Sequence, residues 1–176
     1  MNALIIIAQK EYQDLEYQTT KNLLEKAGIT TITCSKNIGP CQGSSGTKTQ
    51  ATIVLEDVDV QDYDAIIFIG GSGSSQYFTD AQAHLTAQET ISWNKPLAAI
   101  CLAPRILAHA GVLAGKKATV WDGDKKQSAI FQQEKVIFTA EPLTIDGNII
   151  TANGPQAAPL FAQAIIAMLK SSKKKL

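Results

Sequence analysis

Three short apolar runs constrain the fold of this chain more than any other feature of the sequence. They cover residues 3–8, 64–69 and 97–100. None of them alternates apolar with polar residues, so each predicts a strand that is buried on both faces of a sheet. Strands of this kind belong to parallel sheets, whose neighbours are joined by crossover connections that are usually helical.

Helical segments lie between and after these runs. The first begins near Asp14, which we expect to cap it, and ends at Gly28. The predicted helices cover about 14–27, 80–93, 102–110 and 155–170, and shorter strands cover 30–34, 52–55 and 135–138. Residues 143–151 predict a hairpin, because Asp146-Gly147 suits a type I′ turn. Residues 35–48, rich in Gly, Ser, Thr and Lys, predict a surface loop or an irregular ribbon.

The alternation of strands and helices predicts an α/β fold with a largely parallel central sheet and helices on both faces. The 176 residues fit one domain. We expect this domain to span 1–170 and residues 171–176 to be a disordered Lys-rich tail. Sixteen basic residues balance sixteen acidic ones, which gives no electrostatic reason to expect nucleic acid or a membrane as a partner. Three irregularly spaced cysteines predict neither a disulfide framework nor zinc, and favour a reducing cytoplasm.

Cys101 stands where the third apolar run meets a predicted helix. The segment Ala99-Ile-Cys101-Leu-Ala103 has small residues two positions either side of the cysteine, as in a nucleophile elbow. A helix N-terminus there would favour thiolate and lower the thiol pKa. Glu16 and the Gly70-Gly71 pair follow other strands at the same sheet edge. A buried core cysteine is the alternative interpretation, and these residues alone leave both open.

Four segments of the chain resemble the ThiJ/PfpI family of the class I glutamine-amidotransferase-like superfamily, which includes the Parkinson-associated deglycase. The resemblance runs from about Ala3 to Lys170. It implies a flavodoxin-like three-layer sandwich with a C-terminal β-hairpin, a homodimer, and chemistry without a metal or other cofactor. The four segments are 11–16, 64–71, 98–115 and 147–155.

The same resemblance implies the roles of individual residues. Cys101 matches the family's reactive cysteine, and Glu16 matches a protonated carboxyl group that hydrogen-bonds it. A carboxyl group desolvated beside a thiolate is expected to have a raised pKa. The backbone N–H groups of Gly70, Gly71 and Leu102 are candidate donors to the sulfur or to an oxyanion.

The chain departs from the family pattern at the family's histidine positions. Leu102 and Trp121 occupy them, and we expect Trp121 to be a pocket wall. His84 and His109 fall on predicted helices and are interpreted as structural or surface residues. The remaining candidates have bland interpretations: Asp122-Gly-Asp124 as a solvated turn rather than a metal loop, and Cys34 and Cys41 as structural.

Three functions, and the possibility of a retained fold with no chemistry, therefore remain open. The first is glyoxalase-like or deglycase-like chemistry on small α-oxoaldehydes. The second is a non-catalytic oxidative-stress sensor or chaperone-like protein that uses a cysteine sulfinate. The expected partner is a small aldehyde for the first function and an oxidant for the second. The third, a PfpI-like cysteine peptidase, is disfavoured because it needs a histidine base that the sequence does not place near Cys101.

Overall fold

The computed structural model describes residues 1–173. Twelve strands and five α-helices are formed within that range. The strands are β1 (Asn2–Ile6), β2 (Lys10–Tyr12), β3 (Thr30–Ser35), β4 (Gly39–Gly43), β5 (Lys48–Ala51), β6 (Ile53–Val54), β7 (Ala65–Phe68), β8 (Leu97–Ile100), β9 (Lys117–Ala118), β10 (Ile137–Phe138), β11 (Leu143–Asp146) and β12 (Ile149–Ala152). The helices are α1 (Asp14–Lys26), α2 (Ala81–Ser92), α3 (Pro104–His109), α4 (Gln127–Gln133) and α5 (Ala158–Lys173).

Seven of the strands form the central sheet, in the order β11-β12-β8-β7-β1-β3-β6. Every neighbouring pair is parallel except β11 and β12, which form the C-terminal hairpin. The predicted α/β class with a largely parallel sheet is therefore confirmed. Because β1, β7 and β8 lie side by side at the centre, the segments that follow them meet at one edge of the sheet.

Alternate residues of the central strands face two separate cores. Leu4 and Ile6 of β1 belong to the core under α2 and α3, whereas Ala3 and Ile5 belong to the core under α1 and α5. This two-sided burial is the physical reason why the sequence runs were continuously apolar. The resulting three layers are those of a flavodoxin-like sandwich.

Two local predictions are corrected by the structure. The N-cap of α1 is Gln13, whose side chain accepts a hydrogen bond from the Leu15 N–H (2.7 Å), and not Asp14. The hairpin turn has Gly147 and Asn148 at its centre, and of the two only Gly147 has a positive φ, at 60°. A type I′ turn needs two such residues, so that prediction is wrong.

The segment predicted as a loop or irregular ribbon contains two short strands. β4 and β5 pair with each other and join β2 in a small three-stranded sheet beside the main one. At the other end of the chain, α5 continues through Lys173, past the predicted domain limit at 170. Residues 174–176 of the predicted tail lie outside the described residues. Among residues 1–173, no helix is long and apolar enough to cross a bilayer.

Candidate active site

Cys101 lies at a sharp turn between β8 and α3. Its φ is +63°, in the left-handed region that non-glycine residues seldom adopt. Backbone hydrogen bonds hold the turn on both sides: the Cys101 N–H donates to the Ala152 carbonyl and the Trp121 N–H donates to the Cys101 carbonyl, each at 2.9 Å. The neighbouring Ala99 and Ala103 are fully buried, so small side chains occur where strand and helix approach each other. The strand-to-helix turn predicted from the sequence is present.

Glu16 reaches this turn from the first helix. The residue is fully buried, and its Oε2 accepts a hydrogen bond from the Gly70 N–H at 3.2 Å. Its Oε1 forms no further hydrogen bond of ordinary geometry with the residues that the structure describes, but the Cys101 thiol is close enough to hydrogen-bond the carboxyl group. The structure thus brings together two residues that are 85 positions apart in the sequence.

Gly70 lies between these two side chains, and no larger residue fits there. A Cβ atom at position 70 would be 2.5 Å from the Cys101 Cβ and 3.0 Å from the Glu16 Oε2. Real Cβ atoms do not approach other carbons so closely. The glycine is therefore required by the contact between Cys101 and Glu16 rather than by an unusual backbone angle.

The environment raises the pKa of Glu16. Burial raises it to about 8, and the hydrogen bonds with Cys101 and Gly70 oppose this only in part. The carboxyl group is therefore predominantly neutral at pH 7 and carries a proton that it can donate. The raised pKa predicted from the sequence is confirmed.

The prediction of a lowered pKa for Cys101 is wrong. Burial, followed by the negative charge of ionised Glu16, raises the thiol pKa to about 12. The backbone N–H groups of Gly71 and Leu102 lower it, but less. Burial dominates the thiol pKa because Cys101 is only 8% exposed and because the helix that follows it, α3, spans only 6 residues. The resting site therefore holds a neutral thiol beside a neutral acid.

The three predicted N–H donors divide into two groups. Gly71 and Leu102 direct their N–H groups at the Cys101 sulfur. The Gly70 N–H instead donates to Glu16. Two amide donors at the sulfur leave the site equipped to hold a negative charge that develops on or beside it.

A cavity of about 270 Å³ opens over the Cys101 sulfur. Trp121 forms part of its wall, in the position expected of it from the sequence. The remaining walls come from loops of the two sheets and from the turn before α5. The lining residues are Gln13, Ser44, Gly71, Ser72, Cys101, Leu102, Trp121 and Pro155.

Asp14 fixes the loop that carries Ser44 into this cavity, a role that sequence reasoning missed. Its carboxylate accepts hydrogen bonds from the Ser45 N–H (2.7 Å), the Thr47 N–H (3.1 Å) and the Ser44 hydroxyl (3.1 Å). Burial alone would raise the pKa of Asp14, but these hydrogen bonds outweigh it and the pKa is lowered. Asp14 therefore remains ionised at pH 7. The sequence signal for this contact was the Ser-Ser-Gly turn at 44–46. A turn has no periodicity, so the sequence does not show which residue the turn packs against.

The two histidines are engaged elsewhere. The His84 ring hydrogen-bonds the Phe78 carbonyl at 2.9 Å, and the His109 Nε2 accepts a hydrogen bond from the Arg105 Nε at 3.1 Å. Neither lines the Cys101 cavity. Within residues 1–173 there is also no cluster of acidic, histidine or cysteine side chains suited to a metal ion.

The pattern of the DJ-1/PfpI family matches residues 1–168. This chain belongs to the DJ-1/PfpI family. An uncharacterized protein of Methanocaldococcus jannaschii is 33% identical over 97% of this chain and 83% of its own length. A deglycase of Pyrococcus horikoshii is 25% identical over 95% of this chain and 99% of its own length. The family predicted from the sequence is confirmed.

Solved DJ-1/PfpI structures have the same fold. The ThiJ/PfpI domain protein of Brachyspira murdochii superposes with a TM-score of 0.92 at 30% identity, covering 97% of this chain and 96% of that one. The DJ-1beta protein of Drosophila melanogaster superposes with a TM-score of 0.83 at 25% identity, covering 99% and 96%. The homodimer and the cytoplasmic location expected from the sequence stay predictions.

Proposed function

We propose that this DJ-1/PfpI family protein converts small α-oxoaldehydes to 2-hydroxy acids, using Cys101 as nucleophile and Glu16 as proton carrier, without a cofactor. One observation carries the proposal: a buried carboxyl group with a raised pKa shares its contact with a thiol at the floor of a small cavity. The deglycase names of several relatives support the same reaction class at low sequence identity.

The pair can add to an aldehyde without prior formation of a free thiolate. One oxygen of the Glu16 carboxyl group takes the thiol proton while the proton on the other oxygen passes to the aldehyde oxygen. The sulfur–carbon bond forms as the C=O π bond opens, and the product is a hemithioacetal on Cys101. The carboxyl group ends as it began, so the raised pKa of the thiol is no obstacle. The N–H groups of Gly71 and Leu102 stabilise charge that develops during the step.

The product then follows from internal proton transfers and one water molecule. One oxygen of the neutral Glu16 carboxyl group takes the proton from the carbon that bears sulfur while its other oxygen gives a proton to the neighbouring ketone oxygen, which forms an enediol. The carboxyl group then gives a proton to that neighbouring carbon and takes the proton of the hydroxyl on the sulfur-bearing carbon, so it again ends as it began. This turns the hemithioacetal into a thioester with a hydroxyl group beside it. Water hydrolyses the thioester, which releases the 2-hydroxy acid and restores the thiol. The sequence consumes no oxidant or reductant.

Methylglyoxal is the probe for this proposal. We expect the wild-type protein to consume it and to form lactate, with a transient adduct on the Cys101 peptide. Cys101→Ser and Glu16→Leu should each reduce the rate by about 10²-fold or more, because each removes a group that takes part in proton transfer or bond formation. Cys41→Ser is the matched control, because Cys41 is also buried but does not line the cavity. Lactate formation that is equal in wild type and Cys101→Ser would contradict the proposal.

A second candidate function is oxidation of Cys101 to a sulfinate by peroxide. It is favoured by the donors around the sulfur: the N–H groups of Gly71 and Leu102, and a Glu16 carboxyl group that holds a proton at neutral pH. Two equivalents of peroxide would supply the two oxygen atoms and leave two water molecules. Intact mass after peroxide treatment, without methylglyoxal, separates this candidate from the first.

A cysteine peptidase remains disfavoured. Its mechanism needs a base that activates the thiol and then protonates the leaving amine, and histidine is the usual choice. His84 and His109 are both held by contacts away from the Cys101 cavity.

A further inference from the structure

A second cavity shares Trp121 with the cavity over Cys101 but is not lined by Cys101. Its volume is about 330 Å³. Trp121 is the residue that lines both this cavity and the one over Cys101. The other residues that line the second cavity are Val120, Asp122, Gly123, Lys125, Phe138, Ala140 and Asn153.

The position of the Trp121 indole is set by its backbone and by the absence of a side chain at Gly123. The Trp121 N–H is anchored on the Cys101 carbonyl. A Cβ atom at position 123 would be 2.4 Å from the indole Cζ2, and one at position 154 would be 3.7 Å from the indole Cδ1. Glycine at 123 therefore leaves the space that the indole occupies. The residue is 38% exposed, so the indole is a partition between two open cavities and not a part of the core.

The two volumes show what the partition does. Ligand pockets for drug-sized molecules span roughly 300–1,000 Å³. The cavity over Cys101 falls below that range by itself, whereas the two cavities joined would lie well within it. The indole thus limits how large a group can lie beside the Cys101 sulfur.

We propose that Trp121 is the specificity-determining residue of this site. Its indole restricts Cys101 to small α-oxoaldehydes, and the cavity behind it is a latent subsite for α-oxoaldehydes that carry an aromatic ring. This inference rests on the proposed function. The choice of an aromatic substituent follows from the walls: Val120, Phe138 and the region left by the indole form the apolar part and include an aromatic ring, whereas Asp122, Lys125 and Asn153 form the polar part.

The test compares methylglyoxal with phenylglyoxal in wild type, Trp121→Phe and Trp121→Ala. The measured quantity is the ratio of second-order rate constants for adduct formation on the Cys101 peptide. We expect Trp121→Ala to raise the phenylglyoxal-to-methylglyoxal ratio by about tenfold or more, since pocket size discriminates by roughly 10–200-fold per methylene-sized change. Trp121→Phe should lie between wild type and alanine, because it retains a smaller ring.

Alkylation separates failure of this inference from failure of the proposed function. Iodoacetamide and N-phenyl iodoacetamide report access to Cys101 without aldehyde chemistry, and Trp121→Ala should favour the phenyl reagent in the same way. If neither aldehyde forms an adduct in any variant but the alkylation ratio still changes, the proposed function fails and the partition stands. If both ratios are unchanged in Trp121→Ala, the partition is overturned. A circular dichroism spectrum matching wild type ensures that the alanine variant is folded.

Discussion

Asp14 and Glu16 lie two residues apart in the first turn of α1, and the pKa values of their carboxyl groups are shifted in opposite directions. Asp14 faces the 44–47 loop and accepts two backbone N–H bonds and one hydroxyl bond. Glu16 faces the sheet edge, where it meets one N–H and a thiol. The pKa of Asp14 is lowered, whereas that of Glu16 is raised to about 8.

The difference shows that hydrogen-bond donors, and not burial alone, decide which carboxyl group can carry a proton. Little of either side chain is exposed, but Asp14 lies close to the protein surface and is much less desolvated than Glu16, so its three donors outweigh the effect of burial on its pKa. Residues two positions apart point to different sides of a helix, so one turn can present one acid to a loop and the other to a nucleophile. The ionised acid organises the cavity, and the neutral acid is available for chemistry.

The largest expected effect is on the pH dependence of stability, through Glu16→Gln. The raised pKa means that the unfolded chain loses this proton near 4.5 and the folded chain only near 8. The stability that this group contributes is therefore fully present below its pKa in the unfolded chain, and it is lost as the pH rises towards the folded-state pKa of about 8. Glutamine does not ionise, so between pH 4 and pH 8 the free energy of unfolding should shift in favour of the variant by up to about 5 kcal/mol.

Urea denaturation at a series of pH values measures this shift. Glu25→Gln is the control, because Glu25 lies on the same helix, pairs with Lys21 and has a lowered pKa. That variant should show no gain at high pH. Parallel stability curves for wild type and Glu16→Gln would mean that Glu16 is already ionised in the folded protein.

A smaller effect of opposite sign is expected for Asp14→Asn. The substitution removes the charge that the loop donors bind and should destabilise the protein by about 1.5–3 kcal/mol at pH 7. The lowered pKa of Asp14 means that wild type loses the same stability as the pH falls through the folded-state value, so the two proteins should converge in acid. Urea midpoints at neutral and acidic pH check this. An equal difference at both pH values would contradict it.

The smallest effect is expected for Ser44→Ala. It removes one of the three donors to Asp14 while both backbone N–H groups remain, so the cost should be about 1 kcal/mol. Iodoacetamide labelling of Cys101 should be unchanged, because Ser44 lines the cavity wall but does not touch the acid–thiol pair. A large change in labelling rate would show that the 44–47 loop and the Glu16–Cys101 pair are coupled. That result would contradict the separate roles of Asp14 and Glu16.

The parts of the site that could be predicted are those that follow central strands. Gly71 and Cys101 come directly after buried apolar runs, and Glu16 lies in the first turn of the helix that follows another; the geometry of a parallel sheet brings such positions together. Ser44 and Pro155 could not be predicted, because their place depends on how loops pack. The raised pKa of Cys101 was missed for a related reason: the sequence shows a helix start but not how much water the sulfur retains.

The order of the strands has a consequence for how the protein matures. β8 is held between β7 and β12, and the Cys101 N–H finds its acceptor only on Ala152, far along the chain. Parallel pairings of distant segments close long loops and form slowly. Until β12 is synthesised and docked, the Cys101 N–H lacks this acceptor and the burial that raises the thiol pKa is incomplete. The nascent chain therefore carries a more acidic and less selective cysteine than the finished protein, and completing the sheet is what confines its reactivity.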